Sequence, residues 1–258
     1  MDVTGAIRIA SLSDVGLVRA HNEDAVASDL TSGLVMLADG MGGHQCGEVA
    51  SAMASLIIKT ELSDLFAKQQ ADSSQALSVS GMLEKVVMLA NDSIAQTAQE
   101  LADCEGMGTT LVCGVFADNK IVVGHIGDSR MYRLRDDAFV QLTEDHSVLQ
   151  AQINAGLMTK AEARHSNNKH LVTRALGTSF DAELELCEHG VQVGDVYLLC
   201  SDGLTDLVDD DEVKNTIISA NGDINLAVKQ LLTLANTYGG NDNISMLIAL
   251  VEKPFPIK

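Results

Sequence analysis

Hydrophobic positions along the chain fall into two patterns that predict two kinds of element. Short apolar runs bounded by glycine, acidic or amide residues are typical of β-strands. The predicted strands are Ala6–Ser11, Ala25–Asp29, Leu34–Ala38, Thr109–Ala117, Lys120–His125, Arg130–Arg135, Ala138–Leu142 and Ile244–Val251. Longer segments carry Ala, Met, Leu and Ile at helical spacing. The predicted helices are Glu48–Phe66, Gln75–Leu101, His146–Ala155, Thr159–Ala163, Asp210–Ser219 and Ile224–Tyr238.

Two of the strand pairs are separated by dipeptides that favour tight turns. Asp118-Asn119 joins one pair and Asp136-Asp137 joins the next, so each pair is a plausible β-hairpin. Adjacent hairpins cannot be parallel crossovers, and the sheet they form is therefore mainly antiparallel. A doubly wound nucleotide-binding fold is disfavoured for the same reason. The order of elements predicts layered sheets covered by helices.

Acidic residues recur at the ends of the apolar runs. LVMLADG ends at Asp39-Gly40, IVVGHIGD ends at Asp128, and VYLLCSDG ends at Asp202-Gly203. A fourth acid, Asp242, stands just ahead of the run ISMLIALV. If these strand ends meet at one rim of a sheet, four carboxylates converge. Close carboxylates repel one another and are costly to desolvate, so hard divalent cations are the usual remedy. The pattern therefore predicts a metal site.

Phosphate-binding loops offer an alternative that the sequence does not support. The glycines of DGMGGHQ do not complete G-x-G-x-x-G, and G-x-x-x-x-G-K-[ST] does not occur. DGMGG alone is consistent with an ordinary glycine turn, and the segment VRAHNED (Val18–Asp24) alone with a solvated charged turn. A second Asp-Gly step occurs at Asp202-Gly203. An explanation without a functional site would require all three features to be ordinary turns at the same time.

Composition narrows the class of protein. The 258 residues are 46% hydrophobic, enough for one large domain with a sizeable core, and no linker or internal repeat divides residues 1–258. The net charge of −19 argues against a nucleic-acid or anionic-membrane partner, because phosphate contacts need clustered Lys and Arg. The negative charge is consistent with a protein that binds cations.

The cysteines and the N-terminus favour a cytoplasmic protein. The five cysteines are odd in number and include no C-x-x-C, so we expect buried free thiols in a reducing compartment. They are Cys46, Cys104, Cys113, Cys187 and Cys200. The first residues lack the basic and apolar regions of a signal peptide, and we find no uncharged apolar stretch long enough to span a bilayer.

A series of motifs spread over nearly the whole chain resembles a known family. In order they are R-x-x-N-E-D at Arg19–Asp24, ADGMGGH at Ala38–His44, MGTT at Met107–Thr110, GDSRMYRL at Gly127–Leu134, LTEDHS at Leu142–Ser147, LVTRALG at Leu171–Gly177, LLCSDGLTD at Leu198–Asp206 and GGNDNIS at Gly239–Ser245. This series resembles that of the metal-dependent serine/threonine protein phosphatases, the PPM or type 2C family, in its compact bacterial form. The resemblance implies an α+β fold, a four-layer α-β-β-α sandwich of two packed, mainly antiparallel sheets flanked by helices, with the metals at one end.

The resemblance also implies a role for each matching residue. Two Mn²⁺ or Mg²⁺ ions would be bridged by Asp39, with the Gly40 carbonyl completing the second site and Asp202 and Asp242 holding the first. The remaining matches are a water-mediated ligand (Glu23), a supporting acid (Asp24), a residue that grips the substrate phosphate (Arg19) and a ligand of a weaker third metal (Asp128). A hydroxide bridging two such cations would attack phosphorus in line, without a phosphoenzyme.

Two parts of the motif series depart from the family pattern. The position two residues after Asp39 is Met41 where many eukaryotic relatives carry histidine, so His44 or a water on the third metal is the candidate proton donor. The segment from about 150 to 177 matches a mobile flap, but Ser166 and Lys169 differ from the usual bacterial pattern. His165 and His170 are expected on a solvated loop rather than as metal ligands, because no acid stands near them at metal-binding spacing.

The sequence therefore predicts a cytoplasmic, monomeric enzyme that hydrolyses phosphoserine and phosphothreonine in proteins. The expected partners are phosphorylated proteins, with a cognate Ser/Thr kinase and its substrates as candidates, and neither nucleic acid nor membrane. Two alternatives stay open: a phosphatase of a small phosphorylated metabolite, and an inactive module that binds phosphoproteins. The presence of every expected acid and of Arg19 disfavours the inactive module.

Overall fold

The computed structural model describes residues 2–43, 46–71, 77–163, 166, 171–180 and 182–255. The predictions made for His44, His165, Lys169 and His170 fall outside these residues. The strands are β1 (Ile7–Asp14), β2 (Asp24–Asp29), β3 (Leu34–Met41), β4 (Gly108–Thr109), β5 (Leu111–Ala117), β6 (Lys120–Ile126), β7 (Arg130–Arg135), β8 (Ala138–Gln141), β9 (Glu185–Gly190), β10 (Val196–Cys200) and β11 (Ile244–Val251). The helices are α1 (Cys46–Ala71), α2 (Val79–Glu100), α3 (Val148–Asn154), α4 (Lys160–Ala163), α5 (Asp202–Thr205), α6 (Asp210–Ser219) and α7 (Ile224–Thr237), with a 3-10 turn at Ala102–Cys104.

The strands form two sheets that face each other. One sheet has the order β1-β11-β10-β7-β8, and the other has the order β2-β3-β5-β6-β9 with β4 paired to β3. The registered strand pairs are antiparallel. The turns at Asp118-Asn119 and Asp136-Asp137 have positive φ at both residues, the conformation of tight hairpins. Both predicted hairpins are therefore confirmed.

Three layers of buried side chains hold the fold together. The core between the sheets includes Leu37, Val123, Leu199 and Leu247. Helices α1 and α2 cover the outer face of the β3-β5-β6 sheet, while α6 and α7 cover the outer face of the other. Burial of apolar surface on both faces of each sheet is the main stabilising term. The predicted four-layer α-β-β-α sandwich is confirmed.

The elements that the sequence pattern missed are short or half-exposed. Strand β9 (ELCEHG) lies at a sheet edge with no fully buried position, so it lacks the apolar run that marked the other strands. Helix α5 has four residues and lies inside the motif that follows β10. Its short length leaves no periodicity to detect.

The cysteines correct one prediction. Cys46 and Cys104 form a disulfide, with Cα atoms 5.3 Å apart, so the expectation of free thiols is wrong for these two. Packing of α1 against α2 brings the first residue of α1 close to the 3-10 turn that follows α2, although the two cysteines are 58 positions apart in sequence. Cys113 and Cys200 are buried free thiols as predicted, while Cys187 is free and half-buried.

Candidate metal centre

The four acids at the strand ends meet at one end of the sandwich, but they come from both sheets. Asp39 lies within β3 and Asp128 follows β6 of one sheet. Asp202 follows β10 and Asp242 precedes β11 of the other. A cavity of about 200 Å³ is lined by these acids together with Arg19, Glu23, Gly40, Met41, Gly42, Thr110, Val172 and Asn243. The four carboxylates converge at one end of the fold, as predicted. The prediction that they lie on the rim of a single sheet is wrong.

Asp39 is held by its own backbone. Its N–H donates to Thr110 Oγ1 at 3.1 Å, and its carbonyl accepts from the Thr110 N–H at 2.8 Å. Burial raises the pKa of Asp39 well above its ordinary value, and the neighbouring Asp24 and Asp202 raise it further. A carboxyl group in this position favours either a proton or a cation.

Asp24, the first residue of β2, and Glu23, just before it, lie next to the β3 segment that carries Asp39. Asp24 is directly opposite Asp39 in the β2–β3 register, and its Oδ2 accepts from Ser201 Oγ at 3.0 Å. Its Oδ1 is buried and has no hydrogen-bond partner among the described residues. Burial raises the pKa of Asp24 to about 6 and also raises the pKa of Glu23, which Arg19 opposes. Both groups therefore sit where a nearby positive charge is favourable.

Gly40 occupies a position that only glycine fits. A Cβ added to Gly40 would lie 2.1 Å from the carbonyl oxygen of Gly47 and 2.6 Å from that of Glu23. The Gly40 N–H also donates to the Glu23 carbonyl at 3.0 Å. The backbone of β3 is thus pressed against both the start of α1 and the Glu23 segment, at the point where it lines the cavity.

Arg19 lies at the mouth of the cavity and pairs with Asp242. One guanidinium nitrogen of Arg19 is 2.8 Å from Asp242 Oδ2, and the Arg19 side chain is half-exposed. The other carboxylate oxygen, Asp242 Oδ1, accepts the N–H of Asn243 at 2.8 Å. Both oxygens of Asp242 therefore accept hydrogen bonds, one from a backbone N–H and one from the half-exposed side chain of Arg19.

Asp128 is buried beside the centre. Burial, followed by the charges of Asp202 and Asp145, raises the pKa of Asp128 to about 8. The preceding residue, Gly127, has a φ of +107°. Its carbonyl accepts a hydrogen bond from the backbone N–H of His146 at 2.9 Å. The direction of the loop at Asp128 therefore depends on His146.

Asn243 is a structural residue of the site that sequence reasoning missed. Its side chain is buried and accepts the Glu23 N–H at 2.8 Å. It also donates to the carbonyls of Val15 and His21 at 3.1 and 2.9 Å. Asn243 thereby ties the segment that carries Arg19 and Glu23 to the start of β11. The GGNDNIS motif contains this residue, but its spacing alone does not reveal the three partners.

The donor atoms fit hard divalent cations. They are carboxylate and backbone oxygens, which Mg²⁺ and Mn²⁺ prefer over the thiolates that select softer metals. The unpartnered Oδ1 of Asp24 and the raised pKa values of Asp39 and Asp128 are the signs expected where a cation completes the site. The residues present therefore fit a centre that holds such ions.

A larger cavity of about 680 Å³ lies next to the centre, between α3–α4 and the segment around α5 and α6. Acids shared with the centre, Asp128 and Asp202, form part of its wall. Arg130, also in that wall, is fixed by Asp145 at 2.6 Å. Helices α3 and α4 lie in the segment predicted to be a flap, and residues of that segment form one wall of this cavity.

Comparison with known proteins identifies the family. The family model described as protein phosphatase 2C matches residues 18–233, which include Arg19 and Asp202. The chain belongs to the protein phosphatase 2C family. This membership confirms the resemblance drawn from the motifs. Within the described ranges, no helix of this phosphatase combines the length and apolar character that crossing a bilayer requires.

Several relatives are similar over most of this phosphatase. The serine/threonine phosphatase stp of Listeria innocua is 36% identical over 93% of this chain and 94% of its own length. The serine/threonine protein phosphatase PstP of Mycobacterium tuberculosis is 39% identical over 96% of this chain but 45% of its own length. The crystal structure of that PstP has a TM-score of 0.85, with 37% identity over 96% of this chain and 99% of the solved one. A structure of the PstP catalytic domain in complex with two manganese ions has a TM-score of 0.81, with 37% identity over 96% and 99% of the two chains.

Proposed function

We propose that the protein hydrolyses phosphoserine and phosphothreonine in proteins, by direct attack of water on phosphorus and without a phosphoenzyme. Metal-dependent dephosphorylation of proteins is the activity of the family to which the chain belongs. The observation that carries the proposal is the meeting of Asp39, Asp202 and Asp242 at one cavity whose mouth holds Arg19. Oxygen ligands on one side and a guanidinium on the other suit a phosphate ester bound between them.

Each residue of the centre then has a proposed role. Two Mn²⁺ or Mg²⁺ ions would be held by Asp39 together with the Gly40 carbonyl for one ion and with Asp202 and Asp242 for the other. Asp128 would hold a third, weaker ion, Glu23 would act through water, and Asp24 would support Asp39. The bound cations supply an acidified water and neutralise the phosphoryl oxygens.

Arg19 is proposed to bind the substrate phosphate once the centre is loaded. Its guanidinium donates to Asp242 Oδ2, the carboxylate oxygen that does not accept a backbone N–H. A cation bound to that oxygen would remove the attraction that holds Arg19 there. The freed guanidinium can then donate two hydrogen bonds to the phosphate oxygens. Metal loading and substrate binding are coupled through Asp242 in this proposal.

The leaving alkoxide needs a proton, and His44 or a water on the third metal is the proposed donor. His44 lies outside the described residues. If His44 is the acid, His44→Ala lowers turnover on phosphopeptides more than on aryl phosphates, whose leaving group needs no proton. An equal loss on both substrates would eliminate this role.

Hydrolysis of p-nitrophenyl phosphate with Mn²⁺ tests the metal assignment. Activity should be abolished by a chelator, restored by Mn²⁺, and lost in Asp202→Asn, which keeps the shape but removes the charge. The matched control is Asp64→Asn, an acid in α1 that does not line the cavity. Activity that survives both chelation and Asp202→Asn would refute the assignment.

A metabolite phosphatase is the second candidate, and it is not favoured. Comparison of phosphopeptides with sugar phosphates separates the two, because a protein phosphatase should prefer the peptides. We further propose that residues 1–258 act as one cytoplasmic, monomeric catalytic domain with a flap at about 150–177. Its proposed partners are phosphorylated proteins, among them a cognate Ser/Thr kinase and its substrates, but neither nucleic acid nor membrane.

A further inference from the structure

Two histidines and a glutamate form a second cluster of metal-binding groups, separate from the carboxylate centre. His125 in β6 pairs with Glu185 in β9, so both side chains lie on the same face of the sheet. His146, just before α3, stacks its ring on that of His125, with ring centroids 4.7 Å apart and the planes 19° from parallel, so the His146 ring has to turn for both histidines to bind one cation. One ligand atom from each of the three residues lies within 4.8 Å of the others.

His125 offers a lone pair that has no partner. The residue is 1% exposed, and its Nε2 lies 2.8 Å from the Glu144 carbonyl, which can only accept. The proton of the neutral ring is therefore on Nε2, and Nδ1 carries the lone pair. Nδ1 is buried and has no hydrogen-bond partner in the described part of the chain. A metal-ligating histidine is commonly fixed in this way, with its other nitrogen donating to a backbone carbonyl.

His146 and Glu185 complete the cluster and open it to solvent. His146 Nε2 lies 3.3 Å from Glu185 Oε2, and the Glu185 side chain is half-exposed. Burial lowers the pKa of His146, although Glu185 opposes this, so the ring is neutral at pH 7, the form that binds metals. Solvent can reach the cluster past Glu185.

We propose that His125, His146 and Glu185 bind one Zn²⁺-class transition-metal cation at a site separate from the catalytic centre. Two imidazoles and one carboxylate, with water as a fourth ligand, match a three-ligand zinc site. Imidazole nitrogen favours zinc, copper, nickel and cobalt, whereas the oxygen donors of the carboxylate centre favour Mg²⁺ and Mn²⁺. Ligand type therefore gives the two sites different metal preferences.

Occupation of this site would disturb the loop at Asp128. The Gly127 N–H donates to His146 Nδ1 at 3.2 Å, so the His146 proton is on Nε2. Coordination through Nε2 moves that proton to Nδ1, with no net change in charge, and Nδ1 can then no longer accept from Gly127. The metal and this hydrogen bond exclude each other. Since Gly127 precedes Asp128, binding of the cation should lower phosphatase activity.

Zinc titration of the intact protein saturated with Mn²⁺ tests the proposal. In competition with a chromogenic chelator, the wild type should bind one more Zn²⁺ per chain than the variant His125→Gln. The Zn²⁺ concentration that inhibits the phosphatase should be at least about 10-fold higher for that variant than for the wild type. Glu185→Gln alters a half-exposed ligand and serves if His125→Gln does not fold. The matched control is His189→Gln, a histidine of β9 outside the cluster, which should bind Zn²⁺ as the wild type does.

The outcomes separate this site from the catalytic centre. Equal Zn²⁺ stoichiometry and equal inhibition in the wild type, His125→Gln and Glu185→Gln would overturn the proposal, since Zn²⁺ would then act at the carboxylate centre or elsewhere. Loss of binding in His189→Gln to the same degree would also overturn it. The Zn²⁺ stoichiometry is measured without any assay of activity. The zinc site can therefore be absent in an active phosphatase, and it can be present in a protein that proves not to be a phosphatase.

Discussion

The buried carboxyl group of Asp128 predicts that the metal-free protein loses stability as the pH rises. Burial, and after it the charge of Asp202, raises the pKa of Asp128 from 3.8 to about 8. The folded state therefore holds this proton more tightly than the unfolded chain does. The stabilisation is fully present below pH 3.8 and is lost as the pH rises through about 8.

The size of the effect follows from the shift. At about 1.4 kcal/mol per pKa unit, roughly 4 kcal/mol of unfolding free energy is lost between pH 5 and pH 8. Asp128 is 7% exposed, so solvent screening reduces this figure little. Asp128→Asn keeps the shape of the side chain and removes the titration. The difference between wild type and variant cancels the titration of acids that do not interact with Asp128.

Urea unfolding with a chelator at pH 5 and pH 8 measures the effect in both proteins. The free energy of unfolding of the wild type, relative to Asp128→Asn, should fall by roughly 4 kcal/mol over this range. Saturating Mn²⁺ should reduce the fall, because a cation bound to the folded state neutralises the charge. A metal-free wild type that is equally stable at both pH values, relative to the variant, would refute the reasoning.

Three further substitutions or treatments have defined outcomes. Gly40→Ala should weaken Mn²⁺ binding in a metal titration, since the added Cβ would lie 2.1 Å from a backbone oxygen. Gly43→Ala should leave Mn²⁺ binding unchanged, because a Cβ at that position meets no atom within 4 Å. Reduction of the Cys46–Cys104 disulfide, which spans 58 positions, should lower the free energy of urea unfolding by about 4 kcal/mol. Arg19→Ala should lower kcat/KM on a phosphopeptide about 100-fold, as expected for loss of a charged donor to the phosphate.

Controls make each of these results decisive. Equal Mn²⁺ affinity in Gly40→Ala and Gly43→Ala would contradict the tight approach at β3. A Cys46→Ser, Cys104→Ser double variant should be insensitive to reductant, and five titratable thiols in the unfolded, unreduced wild type would contradict the disulfide. Arg8→Ala, which removes an exposed arginine paired with Glu252, should leave kcat/KM unchanged.

The parts of the fold that the sequence predicted are those encoded locally. The hairpins at Asp118-Asn119 and Asp136-Asp137 depend on a dipeptide and its two flanking strands, and they were predictable. Strand β9 was not predictable, because its residues are at most half-buried and it is defined by its pairing with β6. The disulfide was not either, because it depends on packing between α1 and α2.

The candidate site divides in the same way. The acids could be named from the sequence because each follows or precedes an apolar run. Their arrangement could not be predicted, since Asp39 lies in one sheet and Asp202 follows a strand of the other, and the two sheets meet only in the folded protein. The pairing of Arg19 with Asp242 and the links made by Asn243 join residues more than 200 positions apart. Such contacts are set by the packing of the whole domain.

Release of phosphate from a phosphothreonine peptide, measured as a function of Mn²⁺ concentration, tests the central claim most directly. The wild type should release phosphate only when Mn²⁺ or Mg²⁺ is present, and Asp39→Asn should be inactive at every concentration while remaining folded. Turnover by the chelated wild type, or full activity in Asp39→Asn, would contradict a carboxylate-bound metal centre as the catalyst of protein dephosphorylation.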